Sequence, residues 1–395
     1  MKYSINIFRD IFLVLFILIL PFSVAISNIF FGIYSAIILI DYFYYKEKID
    51  VNRLTIYFII ILCYLSINGL FQGSYNANKT LWKFIPILLF GSLLMYSTKK
   101  LPLAIIKKAS VFTCLILVIS CLIRTVIFYS ENHFIPFAND AEMVNILKIH
   151  RPYLGFYILI NSIFSFDLFI KSSQKIYKYL YSFIFIIFFA FIVLIAARLS
   201  IISFIVIALI YILFYLNYSL IKKIILGVSL LVLSGFIYSN PKIQERVNHN
   251  NIDMMIDHEP RFVIWESVNN IKNNDDFNSL IGYGNYQLIE DYLIINYEKI
   301  INKKEKRDYF VKEQFNTHSQ FFDYLLFGGY IAFTLFISFC LFSLWYTKQN
   351  FTSFAIISAF ILFFLVENVF HRQLGCYLFI LYYMLALRNT KLPED

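Results

Sequence analysis

A chain of 395 residues that is 60% hydrophobic, 20% aromatic and only 15% charged, with a mean hydropathy of +0.69, is too apolar for an ordinary soluble domain. Its net charge of +9 lies mostly in short loops between apolar runs, and no basic patch carries interleaved base-stacking aromatics, which argues against a nucleic-acid partner. The expected class is an all-α, polytopic integral membrane protein.

Apolar runs bounded by charge or turn residues predict about twelve spans, near 9–24, 27–45, 54–71, 81–97, 109–129, 152–170, 179–196, 199–217, 222–239, 323–346, 352–368 and 372–388. The first follows Lys2 and Arg9 and is succeeded almost at once by a second, so it reads as an uncleaved helix rather than a removed signal peptide. Lys46, Lys48 and Arg53, then Lys99, Lys100, Lys107 and Lys108, then Lys171, Lys175 and Lys178, then Lys222 and Lys223 fall in alternate loops. Short loops rich in lysine and arginine stay cytoplasmic, so both termini are expected in the cytoplasm and the long loop outside. This divides the chain into helices one to nine (1–239), an external helical cap (240–322), and three closing helices with a cytoplasmic tail (323–395). Cys63, Cys114, Cys121, Cys340 and Cys376 all fall within predicted spans, and no zinc spacing, HExxH, Walker loop or GxGxxG occurs.

In the external loop, Pro260 suits a first helical position, and Ile264, Val268 and Ile271 recur on one face after it. A second amphipathic stretch, Tyr286 to Ile300, aligns Leu288, Tyr292 and Ile295; turn-rich NNDDFN separates the two and the charged run NKKEKRD follows. Such a cap is too small to fold without the spans beneath it. It ends in Thr317, His318, Ser319 and Gln320, a capping-box pattern that puts His318 at the first helical position. There the helix dipole favours a neutral imidazole, and the free amides favour an anion. Spacing alone fits a surface histidine beside an ordinary cap equally well.

Arg198 interrupts the apolar LIAARLSIISF at the junction of two spans, where it needs a partner or water; a snorkelling residue in a tight turn is the plainer alternative. Arg261 sits at a helix start, where a cation opposes the dipole and an external anion would be welcome, although a solvated loop arginine fits too. Arg151 reads as an interfacial anchor, Arg124 as a snorkelling residue, and Glu367, His371 and Arg372 as a mutual ion network that can line the same cavity. Asp275 and Asp276 read as turn residues. Asp253 and Asp257, one helical turn apart, lack a third metal ligand.

Three segments together resemble the O-antigen ligase family, which shares a domain with O-antigen polymerases: AARLSIISFIVIAL around Arg198, EPRFVIWESVNNIKNNDDFNSLIGYGNYQ, which contains Arg261, and HSQFFDYLLFGGYIAF from His318. Ala197 stands where the family usually has serine, and Ser319 where asparagine is commoner. The resemblance implies a glycosyltransferase of the bacterial inner membrane that moves a glycan from undecaprenyl pyrophosphate to a hydroxyl of the lipid A-core on the periplasmic side. Arg198 and Arg261 would bind the pyrophosphate and His318 would orient or deprotonate the acceptor, with inversion, without a metal and without a cofactor. A polymerase that extends lipid-linked repeats uses the same donor and remains open. A lipid-linked glycan transporter also shares the twelve-helix pattern, but it calls for polar groups near mid-bilayer, where this chain has almost none.

Overall fold

The computed structural model describes residues 2–46, 51–95, 103–135, 140–238 and 260–389. All regular structure among them is helical. Among the described residues, seven helices are long and apolar enough to cross a membrane: Val24–Tyr44, Arg53–Gln72, Leu103–Asn132, Arg151–Lys171, Lys175–Leu194, Arg198–Tyr215 and Gln320–Thr347. The chain is a multi-pass membrane protein, but the expected twelve spans overcount. Lys79–Leu94 and Phe351–Val366 have 16 residues each, roughly 24 Å at ~1.5 Å per residue against a hydrocarbon layer of about 30 Å. Lys2–Ile19 carries Lys2, Arg9 and Asp10 in 18 residues, with Arg9 and Asp10 paired at 2.7 Å. The apolar stretch Gln373–Arg388 changes at Phe379–Met384 from α- to π-helical winding.

The described chain forms two compact units, each assembled from segments distant in sequence. The first comprises Met1–Ile49, Ser97–Asn248 and Gln349–Ala359. Its central helix is Arg151–Lys171, 83% buried over its apolar window. Close packing explains Gly155: a Cβ there would stand 2.6 Å from Ala197 Cβ and 2.7 Å from Ser200 Oγ, so the start of helix Arg198–Ile210 lies directly on it. Near the other end of the central helix, buried Asp167 binds Lys107 Nζ (2.7 Å), Lys171 Nζ (2.8 Å) and Thr352 Oγ1 (2.6 Å). Lys107, expected in a loop, is instead a buried partner inside helix Leu103–Asn132. Arg151, expected at the interface, is buried.

The second unit comprises Asp50–Tyr96, His249–Lys348 and Phe360–Asp395. In its cap, Pro260–Lys272 and Tyr286–Ile300 are helices with the expected ends. Ile264, Val268 and Ile271 face the core. The second helix, however, buries Tyr286, Ile289, Leu293 and Tyr297 rather than Leu288, Tyr292 and Ile295. The larger aromatics decide its rotation, because Tyr286 stacks on Phe327 at 4.3 Å and Tyr297 packs on Phe310 at 5.3 Å. The charged run after it is helical too, Lys304–Glu313, with Phe310 buried among Tyr297, Tyr309 and Phe315.

The cap is fastened to helix Gln320–Thr347 through a break in that helix. Gly329 has φ 64° and ψ −165°, a conformation essentially reserved for glycine. The break leaves Leu326 and Phe327 carbonyls to accept from the amides of Tyr283 (2.9 Å) and Gly284 (2.8 Å). It likewise turns the Tyr330 and Ile331 amides toward the carbonyls of Ser279 (2.8 Å) and Leu280 (3.2 Å). Asn68 Nδ2 donates to both the Ile281 and Phe327 carbonyls at 2.9 Å. The Gly-x-Gly of the cap and the Gly-Gly of the helix are therefore two halves of one joint. Below it, Phe370 packs on Phe379 (4.9 Å), Phe364 (5.4 Å) and Phe58 (5.9 Å), which pins the short helical turn Val369–His371.

Candidate functional site

The segment before helix Gln320–Thr347 does not form the expected capping box. Ser319 is the N-cap, its hydroxyl accepting from Phe322 N at 3.5 Å, and His318 precedes it with φ 43°. The two capping-box side chains have other partners. Thr317 Oγ1 accepts from Asn368 Nδ2 at 2.9 Å, and Gln320 Oε1 accepts from Phe370 N at 3.0 Å. A left-handed residue other than glycine costs about 1 kcal/mol, and here Asn316 helps fix it by accepting from His318 N at 3.1 Å. A quarter of the imidazole side chain is exposed, while its Nδ1 is buried without a hydrogen-bond partner.

Glu367 stands opposite that nitrogen. Its Oε1 accepts from Arg261 Nη2 at 3.1 Å and lies 4.0 Å from His318 Nδ1, too far for a hydrogen bond. Arg261 Nε also donates to the Val366 carbonyl at 3.3 Å. Arg261 and His318, predicted from separate motifs, thus converge on one buried carboxylate. Burial of the ring, followed by the positive charges of Arg261 and Arg372, lowers the His318 pKa to about 3. The imidazole is neutral at pH 7.

Beside this group lies a cluster that the sequence reading missed. Asp323, one turn into the helix and buried, accepts from Tyr286 OH (2.8 Å), Gln320 Nε2 (3.2 Å) and Asn368 Nδ2 (3.2 Å) and pairs with His371 Nε2 (3.0 Å). Burial opposes protonation of His371, but the Asp323 carboxylate, its hydrogen bond and the charge of Glu290 outweigh it and raise the pKa above the ordinary histidine value. Within the expected group of Glu367, His371 and Arg372, Glu367 pairs with Arg261 and His371 with Asp323. His371, Tyr286 and Gln320 line a cavity together with Thr80 and the apolar Leu62, Leu65, Leu81, Phe84 and Leu88.

Residues 183–337 match the family model described as O-Antigen ligase. These residues are an O-antigen ligase domain. The chain is accordingly a membrane glycosyltransferase of the ligase or polymerase type. No curated protein matches the chain. The O-antigen ligase domain contains Arg198, Arg261 and His318, yet it stops short of Glu367, Asn368, His371 and Arg372. Half of the polar machinery around His318 therefore comes from the turn after residue 366.

Arg198 is the first residue of helix Arg198–Ile210 in the first unit, exposed, and follows the left-handed Ala196 (φ 49°). Arg124 lies part-buried in the same unit, its Nη1 enclosed without a hydrogen-bond partner. Asp276 serves the cap as an acceptor for Tyr283 OH (3.1 Å) and Tyr292 OH. Asp253 and Asp257 lie outside the described residues, as do Lys48, Lys99, Lys100 and Lys391. Among the described residues, no group of three His, Cys, Asp or Glu side chains is arranged to hold a metal ion.

One signal could have exposed Asp323. An acid within an apolar helical run is costly unless paired, and FFDYLLF has one, with His371 and Asn368 as candidate partners in the last loop.

Proposed function

We propose that this protein transfers a glycan from undecaprenyl pyrophosphate to a hydroxyl of the lipid A-core on the periplasmic face of the bacterial inner membrane, with both termini in the cytoplasm. The acceptor oxygen attacks the anomeric carbon from the face opposite the diphosphate, so the configuration inverts. The hydroxyl proton passes to His318, the bond from the anomeric carbon to the phosphate oxygen breaks, and its electron pair leaves on the diphosphate. Arg261, together with Arg198, binds that growing negative charge through forked, charge-assisted hydrogen bonds. Neither a metal nor a cofactor enters the reaction, a reading that rests on the lack of an acidic cluster in the first external loop.

The observation that carries this reading is the convergence of Arg261 and neutral His318 on Glu367. A neutral imidazole beside a guanidinium is what a base next to a diphosphate requires. The test is transfer by purified protein from a lipid-linked glycan to lipid A-core, in excess chelator. His318→Ala, folded as judged by its melt, is expected to lose transfer, and retained activity refutes the assignment. Arg198→Lys and Arg261→Lys are each expected to lose at least tenfold in kcat/KM; full activity in both removes the diphosphate role. Lipid-linked chains that lengthen without joining the core would instead identify the polymerase reaction.

A further inference from the structure

We infer that Glu367 is a positioning residue that changes partners during the reaction: it holds Arg261 in this structure and passes to the Nδ1–H of His318 when a diphosphate takes the guanidinium. This rests on the assignment of His318 as the base. Three observations carry it. A single carboxylate oxygen faces both groups, at 3.1 Å from Arg261 and 4.0 Å from His318. The imidazole Nδ1 is buried without a hydrogen-bond partner, an arrangement that costs free energy unless another state satisfies it. The carboxylate is 8% exposed, so whichever cation it leaves must be met by another anion.

The exchange follows from charge. A diphosphate offers Arg261 several anionic oxygens, and the forked guanidinium binds them in pairs. Released, Glu367 needs to close about 1 Å to reach normal hydrogen-bond length, which side-chain rotation supplies. An ionised carboxylate can only accept, so it selects the tautomer with hydrogen on Nδ1 and leaves the Nε2 lone pair for the acceptor hydroxyl. When Nε2 takes that proton, the new imidazolium lies against Glu367, which stays ionised. The charged groups acting on the ring are Arg261 from helix Pro260–Lys272 and Glu367 and Arg372 from the closing turn; Asp323 is engaged by His371, which Glu290 also faces. Burial of the ring does most to keep His318 a weak base, and the charges of Arg261 and Arg372 add to it; diphosphate binding offsets the Arg261 charge and brings the Glu367 carboxylate into contact. Basicity therefore rises when the donor binds, which guards against unproductive protonation at other times.

The test combines kinetics with histidine titration. Glu367→Gln should lower kcat at least tenfold with a smaller change in donor KM, and should move the acid limb of the kcat–pH profile. Glu367→Asp should restore that limb at least partly. Wild-type kcat and pH limb in Glu367→Gln, or a loss confined to KM with the limb unmoved, overturns the proposal. Should Glu367→Gln fail to fold, NMR titration of His318 in the wild-type protein decides: inorganic pyrophosphate should shift its midpoint upward by at least one pH unit, and an unmoved midpoint overturns the exchange. If His318→Ala keeps full activity, the assignment of the base fails by itself, while the titration still reports whether Glu367 changes partners.

Discussion

Replacing Gly329 with alanine tests whether the joint between cap and helix builds the site. A Cβ at this position would meet the carbonyl carbon and oxygen of Leu280 at 2.3 Å and Ile281 N at 2.5 Å. These are backbone atoms with no rotamer to yield, and the local conformation costs a residue with a side chain ~1–3 kcal/mol by itself. Relieving the clash requires the joint to open. That exposes four backbone hydrogen bonds, from Tyr283, Gly284, Tyr330 and Ile331, each contributing about 1 kcal/mol. The joint should therefore loosen by roughly 3–5 kcal/mol, and hydrogen exchange at these amides should accelerate by at least a hundredfold. Because the loop joins helices Pro260–Lys272 and Tyr286–Ile300, Arg261 and Tyr286 lose their register against His318 and Asp323, and transfer activity should fall with the protection. Gly32→Ala is the control, since its Cβ meets nothing within 4 Å and alanine in a helix is favoured by about 1 kcal/mol. Native exchange rates in Gly329→Ala would refute the argument.

The other predictions concern charge. Since the His371 pKa is raised in the folded protein, the stability from its pair with Asp323 is complete below the unfolded value of about 6.5 and is lost as pH rises through the folded value; Asp323→Asn should therefore lower the Tm more at pH 5.5 than at pH 8.5. His318 has the opposite sign: with its pKa depressed to about 3, it contributes stability above about pH 6.5 that is lost as the pH falls toward 3, and His318→Gln should flatten that slope in acid melts. In the first unit, Lys107→Met removes the buried partner of Asp167. Lys171 and Thr352 remain, so the loss should lie near the low end of that for a broken buried pair, about 3 kcal/mol by denaturant or thermal unfolding.

The class of the protein and the ends of its cap helices were legible because they depend on local pattern: apolar run length, the proline at 260 and the spacing of Ile264, Val268 and Ile271. What failed depended on partners distant in the chain. Leu288, Tyr292 and Ile295 match a helical stripe as well as Tyr286, Leu293 and Tyr297, and only Phe327 and Phe310 decide between them. The Thr317–Gln320 spacing is a sound capping box in isolation, but Asn368 and the Phe370 amide, about fifty residues away, compete for both side chains and prevail. Arg261 and His318 were visible as polar residues at or beside helix starts. Glu367 was visible only as a member of its own turn, because no spacing rule links it to residue 261.

Helix Gln320–Thr347 is a single apolar run to any hydropathy window, yet it lives in two solvents. Before the break at Gly329, every residue from Gln320 to Gly328 except Phe322 is buried, Asp323 included. After it, Tyr330, Ile331, Leu341, Phe342 and Trp345 turn outward, and Tyr330–Thr347 measures roughly 27 Å, about the thickness of the oily layer. Sequence drift should follow the same divide: the lower stretch can exchange one greasy side chain for another along its lipid face, while the upper stretch, walled in by protein, can change little.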